Sequence, residues 1–309
     1  MALMRSMLLA ASQNSWLREH AVRYPFVRRS VARFMPGETV DAALTAAQML
    51  AKVNIGTVFT HLGENVADRN EASQVAAHYV QVIERIQQLG MSTEVSIKLT
   101  QLGLDLSPEL CAENLDNIIR AENPASTVWV DMEASKYVDA TLVLYKQALK
   151  KYPNLGICLQ AYLYRTGEDL DDLLPLRPSI RLVKGAYKEP ANMAFPEKAK
   201  VDENYFALAK KMLGAKISGT CPRPAFGTHD VPLIHRLSEY CANQGYSRSA
   251  LEIQMLYGIQ RAEQARLASE GYRSVVLVAY GNYWYPWFVR RLAERPANLW
   301  FMLRNVFAS

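Results

Sequence analysis

The chain has 309 residues, of which 50% are hydrophobic and 21% are charged, and its formal net charge is +5. This is the composition of a folded globular protein, and it excludes general disorder. The Lys and Arg residues are scattered along the chain, so we expect no nucleic-acid partner, and the length fits either two average domains or one (β/α)8 barrel.

The cysteines Cys111, Cys158, Cys221 and Cys241 stand far apart and form no Cys-x-x-Cys pair. This spacing favours neither a zinc site nor a disulfide framework, and it fits a reducing, cytoplasmic location. The histidines show no His-x-His or His-Glu-x-x-His spacing, so we predict no metal. The N-terminal segment lacks a clean signal-peptide cleavage site, and no apolar run approaches the roughly 20 residues that span a bilayer. Any membrane contact is therefore expected to be peripheral.

The N-terminal part of the chain predicts helices. Apolar residues recur at helical spacing over residues 4–22, and again over residues 42–53 after a turn at Pro36. We expect residues 1–50 to form a helical arm that covers a larger catalytic domain, residues 51–309.

After this arm, short apolar runs typical of buried strands alternate with helical stretches. Eight such runs begin at Thr57, Glu94, Thr127, Leu155, Ile180, Arg223, Leu251 and Ser274. This alternation indicates an α/β protein with a closed parallel (β/α)8 barrel of the TIM type. A doubly wound open sheet is disfavoured, because the turn after the first run has one glycine where a dinucleotide fingerprint needs three.

Polar side chains follow the predicted strands, at the end where such barrels place their functional groups. They are His61, Lys98, Asp131 with Glu133, Gln160, Arg181 with Lys184, Thr228 with His229 and Asp230, Gln254 and Tyr280. The sequence therefore predicts an active site at this end of the barrel.

Two cations and a polar tripeptide stand out in the fifth and sixth strands. Arg181 and Lys184 favour an anionic cofactor, which Gly185 would allow to approach the backbone, over a structural ion pair between barrel layers. Residues 228–230 could hold a polar ligand group, or they could cap the helix that follows.

A helix is predicted after the eighth strand, over the barrel mouth. Arg290 and Arg291 lie four and three residues before Glu294, which could orient both guanidinium groups as a fork for a carboxylate. The alternative is a solvated, salt-bridged helix face. Lys98 could complete the anion clamp with Asp131 as its counter-ion, or the two could form a buried structural pair.

Several segments stand out when they are taken in order along the chain: THLGE, EVSIKL, VDMEA, LQAYLYR, RLVKGAYKE, FGTHD, QMLYG and YPWFVRRLAERPAN. Together, over about residues 37–305, they resemble the monofunctional proline dehydrogenases. The resemblance implies a flavoprotein that binds FAD non-covalently in a TIM barrel and oxidises L-proline, or a close cyclic analogue, to 1-pyrroline-5-carboxylate by hydride transfer. This would be the first step of proline catabolism.

The resemblance further implies that the electrons pass to a membrane quinone. The basic balance and the apolar N-terminal helix permit peripheral attachment to the anionic inner face of a membrane. Two alternatives stay open: a flavin barrel of the methylenetetrahydrofolate reductase type, and a catalytically silent paralogue that binds flavin or proline.

The resemblance also assigns site residues. For the substrate, it implies Lys98, Leu256, Leu277, Tyr280, Arg290, Arg291 and Glu294. For FAD, it implies Asp131, Gln160, Arg181, Val183, Lys184, Gly185, Ala186, Tyr187, Thr228, His229, Asp230 and Gln254. Arg181 and Gln160 would stabilise negative charge on the reduced ring. The family usually has a tyrosine at the position of Leu277, so we expect a roomier, more apolar wall. Such a wall would tolerate a substituted or larger proline analogue, or it would bind plain proline with weaker affinity.

Overall fold

The computed structural model describes residues 31–285, 288 and 289, and within them the chain folds into a closed barrel of eight parallel strands. The strands are β1 Gly56–His61, β2 Thr93–Ile97, β3 Val128–Val130, β4 Leu155–Gln160, β5 Ser179–Val183, β6 Arg223–Gly227, β7 Glu252–Leu256 and β8 Arg273–Tyr280. The sheet closes where Thr57 of β1 pairs with Val276 of β8. The predicted (β/α)8 barrel and its strands are confirmed, and the open sheet is excluded.

Helices cover the outside of the barrel. The α-helices are α1 Val40–Ala51, α2 Arg69–Gln88, α3 Pro108–Ala121, α4 Val138–Leu149, α5 Thr166–Leu173, α6 Lys198–Ile217, α7 Val231–Asn243 and α8 Arg261–Ser269. Short 3-10 helices lie at Leu99–Leu102, Ser135–Tyr137, Leu174–Leu176 and Arg248–Ala250. Side chains that accept a backbone N–H start several helices: Asp68 begins α2, Ser107 begins α3 and Asp230 begins α7.

The main core lies between the strands and this layer of helices, and alternation along each strand decides which side chains reach it. In β8, Val276 and Val278 belong to that core, whereas Val275 packs inside the barrel in a cluster with Trp129. Residues two apart share one side of a strand. Neighbouring residues of one strand therefore alternate between the barrel interior and the outer core.

A separate apolar cluster lies at the mouth of the barrel. This mouth cluster consists of Val31, Phe34, Met35, Leu62, Ala279, Trp284, Tyr285, Phe288 and Val289. Its last four members are helical, which agrees with the helix predicted after β8 as far as the chain is described there.

The predicted N-terminal arm is described only in part. The helix expected over residues 42–53 is α1, whereas the helix expected over residues 4–22 lies outside the described residues. The division into an arm of residues 1–50 and a barrel of residues 51–309 stays a prediction. Within the described ranges, no helix is both long and apolar enough to cross a bilayer.

Candidate functional site

The N-terminal end of the barrel interior is closed by a buried ion network. Arg223, at the start of β6, donates 2.9 Å hydrogen bonds from Nε and Nη2 to Glu252, and one of 3.0 Å from Nη2 to Glu94. Although burial opposes ionisation, the guanidinium group holds the pKa of Glu252 below its ordinary value. Trp129 adds a 2.9 Å bond from its indole N–H to Glu94. All these groups are satisfied by one another.

Trp129 connects this network to the middle of the barrel. The guanidinium carbons of Arg223 and Arg181 lie 5.1 Å and 5.0 Å from its ring centroid, within the range of cation–π attraction. Gly156 makes room for the indole, since a Cβ at this glycine would lie 2.6 Å from the Trp129 ring. The two arginines are thus held at successive levels of the barrel.

Arg181 forms the floor of the space above. Its side chain is 3% exposed, donates to Ser96 Oγ at 2.7 Å and to Gln254 Oε1 at 3.2 Å, and pairs with Asp131. Burial alone would lower the pKa of Arg181, but the Asp131 carboxylate keeps that pKa above its ordinary value. Gln254 in turn donates to Glu252 at 2.7 Å, and because a carboxylate only accepts while Arg181 only donates, the orientation of the Gln254 amide is fixed.

A cavity of about 630 Å³ opens above this floor, at the carboxyl ends of the strands. It is lined by every residue that the sequence assigns to FAD: Asp131, Gln160, Arg181, Val183, Lys184, Gly185, Ala186, Tyr187, Thr228, His229, Asp230 and Gln254. Of the residues assigned to the substrate, Lys98, Leu256 and Leu277 also line it. Their position agrees with the sequence prediction, whereas their individual roles stay predictions.

At the rim of the cavity, two lysines and two aspartates neutralise one another. Lys184 Nζ donates to Asp230 Oδ2 at 2.7 Å and also pairs with Asp202, while Lys198 Nζ lies 3.3 Å from the same Asp230 oxygen. Although partial burial opposes it, Lys184 holds the pKa of Asp230 below its usual value. Asp230 also accepts the Leu233 N–H at the start of α7, so it both caps a helix and lines the cavity.

Lys98 differs from these paired cations. It lines the cavity but forms no ion pair with any carboxylate in the part of the chain that is described. The expectation that Asp131 is its counter-ion is wrong, because Asp131 pairs with Arg181 across the barrel.

His61 lies near this lysine. Burial, the neighbouring His78 and the Lys98 charge together lower the pKa of His61 to about 4, so this imidazole is neutral near pH 7.

Gln160 presents an acceptor to the cavity. Its Nε2 donates to the carbonyl oxygens of Met132 and Glu133, at 3.1 Å and 3.2 Å, which uses both of its hydrogens. Its Oε1 is buried and has no partner among the described residues. This geometry argues against the expectation that Gln160 stabilises negative charge; it fits a ligand that donates a hydrogen bond.

Gly185 is needed for a structural reason that differs from the one expected from the sequence. Its φ is +118°, and a Cβ there would lie 2.3 Å from the Tyr162 ring. The glycine is therefore required by a neighbouring aromatic ring, whether or not a ligand also approaches it.

A backbone hydrogen bond orients the side chain of His229. Its Nε2 accepts the Leu256 N–H at 2.9 Å, which places the proton of the neutral ring on Nδ1.

Tyr280, which is predicted to bind the substrate, does not line the cavity. Its ring is 1% exposed within the outer core, and its hydroxyl lies 3.0 Å from His78 Nε2 on α2. Because Leu277 faces the interior, a residue three positions later faces the helices. Strand alternation could have shown this from the sequence.

Arg290, Arg291 and Glu294 lie outside the described residues, so the predicted arginine fork stays a prediction.

Sequence reasoning missed several residues of the cavity wall. They include Thr60, Leu62, Met132, Cys158, Lys198 and Gln260. Cys158 lies two residues before Gln160 and so faces the same side of β4, a signal that alternation provides. Lys198 belongs to α6 and reaches the cavity because that helix packs against β5 and β6, which no local pattern reveals.

Comparison with known proteins gives a consistent result over nearly the whole chain. The family model for proline dehydrogenase matches residues 43–304. Proline dehydrogenase 1 of Bacillus subtilis (strain 168) is 39% identical over 305 residues, which cover 98% of this chain and 99% of that protein. The proline dehydrogenase of Deinococcus radiodurans is 37% identical over 280 residues, covering 89% of each chain.

A solved structure supports the fold. The structure of proline utilization A from Bdellovibrio bacteriovorus, inactivated by N-propargylglycine, superposes with a TM-score of 0.81 at 24% identity. The match covers 94% of this chain and 36% of that longer one. At this level of identity the similarity concerns the architecture of the barrel alone.

Proposed function

Because this chain belongs to the proline dehydrogenase family, we propose that it oxidises L-proline, or a close cyclic analogue, to 1-pyrroline-5-carboxylate with FAD as its cofactor. This reaction would be the first step of proline catabolism. The observation that carries the proposal is the cavity at the carboxyl ends of the strands. A buried arginine forms its floor, and a buried amide oxygen without a partner among the described residues lies in its wall. Family membership does not support the alternative of a methylenetetrahydrofolate reductase type.

The cavity wall fits the chemistry of a flavin ring. The ring system carries an imide N–H between two carbonyl groups, and Gln160 Oε1 is a buried acceptor without a described partner. Arg181 is a fixed donor beside it. A volume of about 630 Å³ lies within the range of roughly 300–1,000 Å³ that is usual for ligand sites.

When bound, FAD would accept a hydride from the ring carbon next to the substrate nitrogen. The protein would contribute binding and electrostatics. Arg181, whose charge is maintained by Asp131, would stabilise negative charge that develops on the reduced ring. Lys184 and Asp230, with the backbone of residues 185–187, would hold the more polar part of the cofactor at the rim.

The substrate carboxylate would be bound by cations. Lys98 lines the cavity without a carboxylate partner among the described residues, and we propose that Arg290 and Arg291, oriented by Glu294, complete the clamp. No base is assigned to the substrate nitrogen: His61, with a pKa of about 4, is a weak base and does not line the cavity. We propose that solvent takes this proton.

The electron acceptor is proposed to be a quinone, reached by peripheral attachment to the inner face of a membrane. The net charge of +5 supports attraction to anionic lipids. Co-sedimentation with anionic vesicles tests the attachment. Binding that weakens with added salt is expected, and binding that salt does not weaken would count against an electrostatic attachment.

An anaerobic absorbance spectrum of the purified protein, before and after addition of L-proline, tests the reaction. We expect a flavin spectrum that L-proline bleaches. A flavin that is not bleached would place the substrate elsewhere or indicate a silent paralogue, and a colourless protein would contradict FAD binding. Adding a hydroxylated proline in parallel tests the roomier wall at Leu277: rejection of this analogue together with ordinary proline affinity would disprove it.

A further inference from the structure

The chain that leads into α1 packs over the mouth of the barrel. Residues 31–38, here called the entry segment, bury Val31, Phe34 and Met35 to 5%, 5% and 3% exposure. All three belong to the mouth cluster, and the Phe34 ring lies 6.2 Å from the ring of Phe288. The entry segment therefore shares one apolar core with the loop after β1 and the helical residues after β8.

Two further contacts fix the entry segment. Gly258, in the loop after β7, has a φ of +77° and lies so close to Arg33 that a Cβ on the glycine would be 1.6 Å from the Arg33 carbonyl oxygen. No residue with a side chain fits this approach. On the β8 side, Trp284 Nε1 donates a 2.9 Å hydrogen bond to Glu38 Oε1.

The entry segment packs against loops that line one half of the cavity. Leu62 belongs to the mouth cluster and lines the cavity, and Gly258 lies between Leu256 and Gln260, which also line it. Leu277 on β8 belongs to the same wall. The residues proposed to hold FAD come mostly from β3 to β6, so the half beside the entry segment is the one proposed to hold the substrate.

We propose that the entry segment is a positioning element, which sets substrate affinity by holding the loops after β1, β7 and β8 at the cavity mouth. The identity of the substrate in this proposal rests on the proposed function. Val289, at 5% exposure, is the last described member of the mouth cluster and directly precedes Arg290 in sequence. Displacing the segment should therefore affect the substrate more than the flavin.

The substitution Gly258→Ala tests this, with Gly245→Ala as its matched control. Both glycines have left-handed backbones, with φ of +77° and +70°, but a Cβ at Gly245 meets nothing within 4 Å. Gly258→Ala is expected to raise KM for L-proline about tenfold, because displaced loops at the cavity mouth would bind the substrate and the transition state equally less tightly. Bound flavin and kcat should change less than about twofold, and Gly245→Ala should leave KM unchanged.

Hydrogen exchange measures the positioning without any substrate. The Leu62 N–H bonds to the Tyr280 carbonyl at 2.8 Å, and the Tyr257 N–H bonds to the Leu277 carbonyl at 3.0 Å. Both amides should exchange faster in Gly258→Ala than in Gly245→Ala. Equal exchange and equal KM in the two variants would overturn the proposal.

Trp284→Phe provides a milder second variant, since it keeps a buried aromatic ring but removes the hydrogen bond to Glu38 and part of the indole packing. A severalfold rise in KM with unchanged flavin content is expected, whereas a fall in flavin content with unchanged KM would contradict the role of the segment. A failure of the proposed function would give a different result, because L-proline would then not bleach the flavin of the wild-type protein. The hydrogen-exchange comparison would still test whether the entry segment positions the loops.

Discussion

The two ends of the barrel interior carry similar ions, but they differ in what those ions leave unpaired. At the N-terminal end, Arg223 binds both Glu94 and Glu252, and each group is satisfied within the protein. At the carboxyl end, Lys98 has no described carboxylate partner, and Gln160 Oε1 has no described hydrogen-bond partner. The first end is built to hold the barrel together, and the second is built to receive a ligand.

The largest effect is expected at the closed end. Arg223→Met leaves Glu94 and Glu252 buried without their main cation, and breaking such a pair costs about 3–5 kcal/mol. Urea unfolding measures this loss. Arg236→Met is the matched control, since it removes a surface pair with Glu203 and a cation–π contact with Phe206, which together should contribute about 1–2 kcal/mol at most. Equal losses in the two variants would mean that the buried network has no special role in stability.

A second carboxyl group near the closed end sharpens the comparison. Glu122 is 6% exposed and, within the described chain, has no ion pair; burial raises its pKa from 4.5 to about 7. Glu252, which has its arginine, shifts in the opposite direction. The opposite pKa shifts of these two carboxyl groups follow from the arginine that lies beside Glu252.

This pKa shift makes stability depend on pH. Below pH 4.5, Glu122 is protonated in both the folded and the unfolded chain. Between pH 4.5 and about 7, Glu122 ionises only in the unfolded chain, so the free energy of unfolding falls as the pH rises. Above that range Glu122 is ionised in both states, and the loss of stability is constant. The loss is at most about 3 kcal/mol. Glu122→Gln should therefore be increasingly more stable than wild type from pH 5 to pH 8 in urea titrations. A difference that does not change with pH would refute this assignment.

At the open end, Lys98→Met is expected to affect binding and not folding. Loss of the cation should raise KM for L-proline about 10- to 100-fold, which corresponds to about 1.4–2.8 kcal/mol. Unfolding free energy and flavin content should stay near those of wild type, because no described ion pair is broken. Lys200→Met, at an exposed pair with Glu197, controls for the loss of one positive charge. An unchanged KM would remove Lys98 from the proposed clamp.

A smaller effect is expected for Gln160→Met. It removes an acceptor that has no partner in the described part of the chain, together with the two hydrogen bonds from Nε2 to the Met132 and Glu133 carbonyls. If a ring N–H of the flavin binds Gln160 Oε1, losing this bond should weaken flavin binding about tenfold. Equilibrium titration of the apoprotein with FAD measures the change. Flavin affinity equal to that of wild type would show that Gln160 Oε1 serves another ligand.

Much of this architecture could be predicted from sequence because its signals are local. Each strand is a short apolar run, and in a parallel barrel the ends of such runs meet at one rim, so the positions of Gln160, Lys184 and Gln254 followed from the architecture. Alternation along β8 also contained the orientation of Tyr280, although the resemblance pointed to the other side. The clamp residues beyond Val289 stay predictions from sequence.

By itself, then, the sequence determined the barrel, the end that carries the cavity, and most of the residues in its wall. Only the tertiary structure decided the partners: that Asp131 binds Arg181 and not Lys98, that Asp202 and Lys198 join the rim, and which way the Gln160 amide points. Burial requires each polar group to find a partner, but the choice depends on the registers and tilt of strands tens of residues apart. No local pattern encodes that geometry.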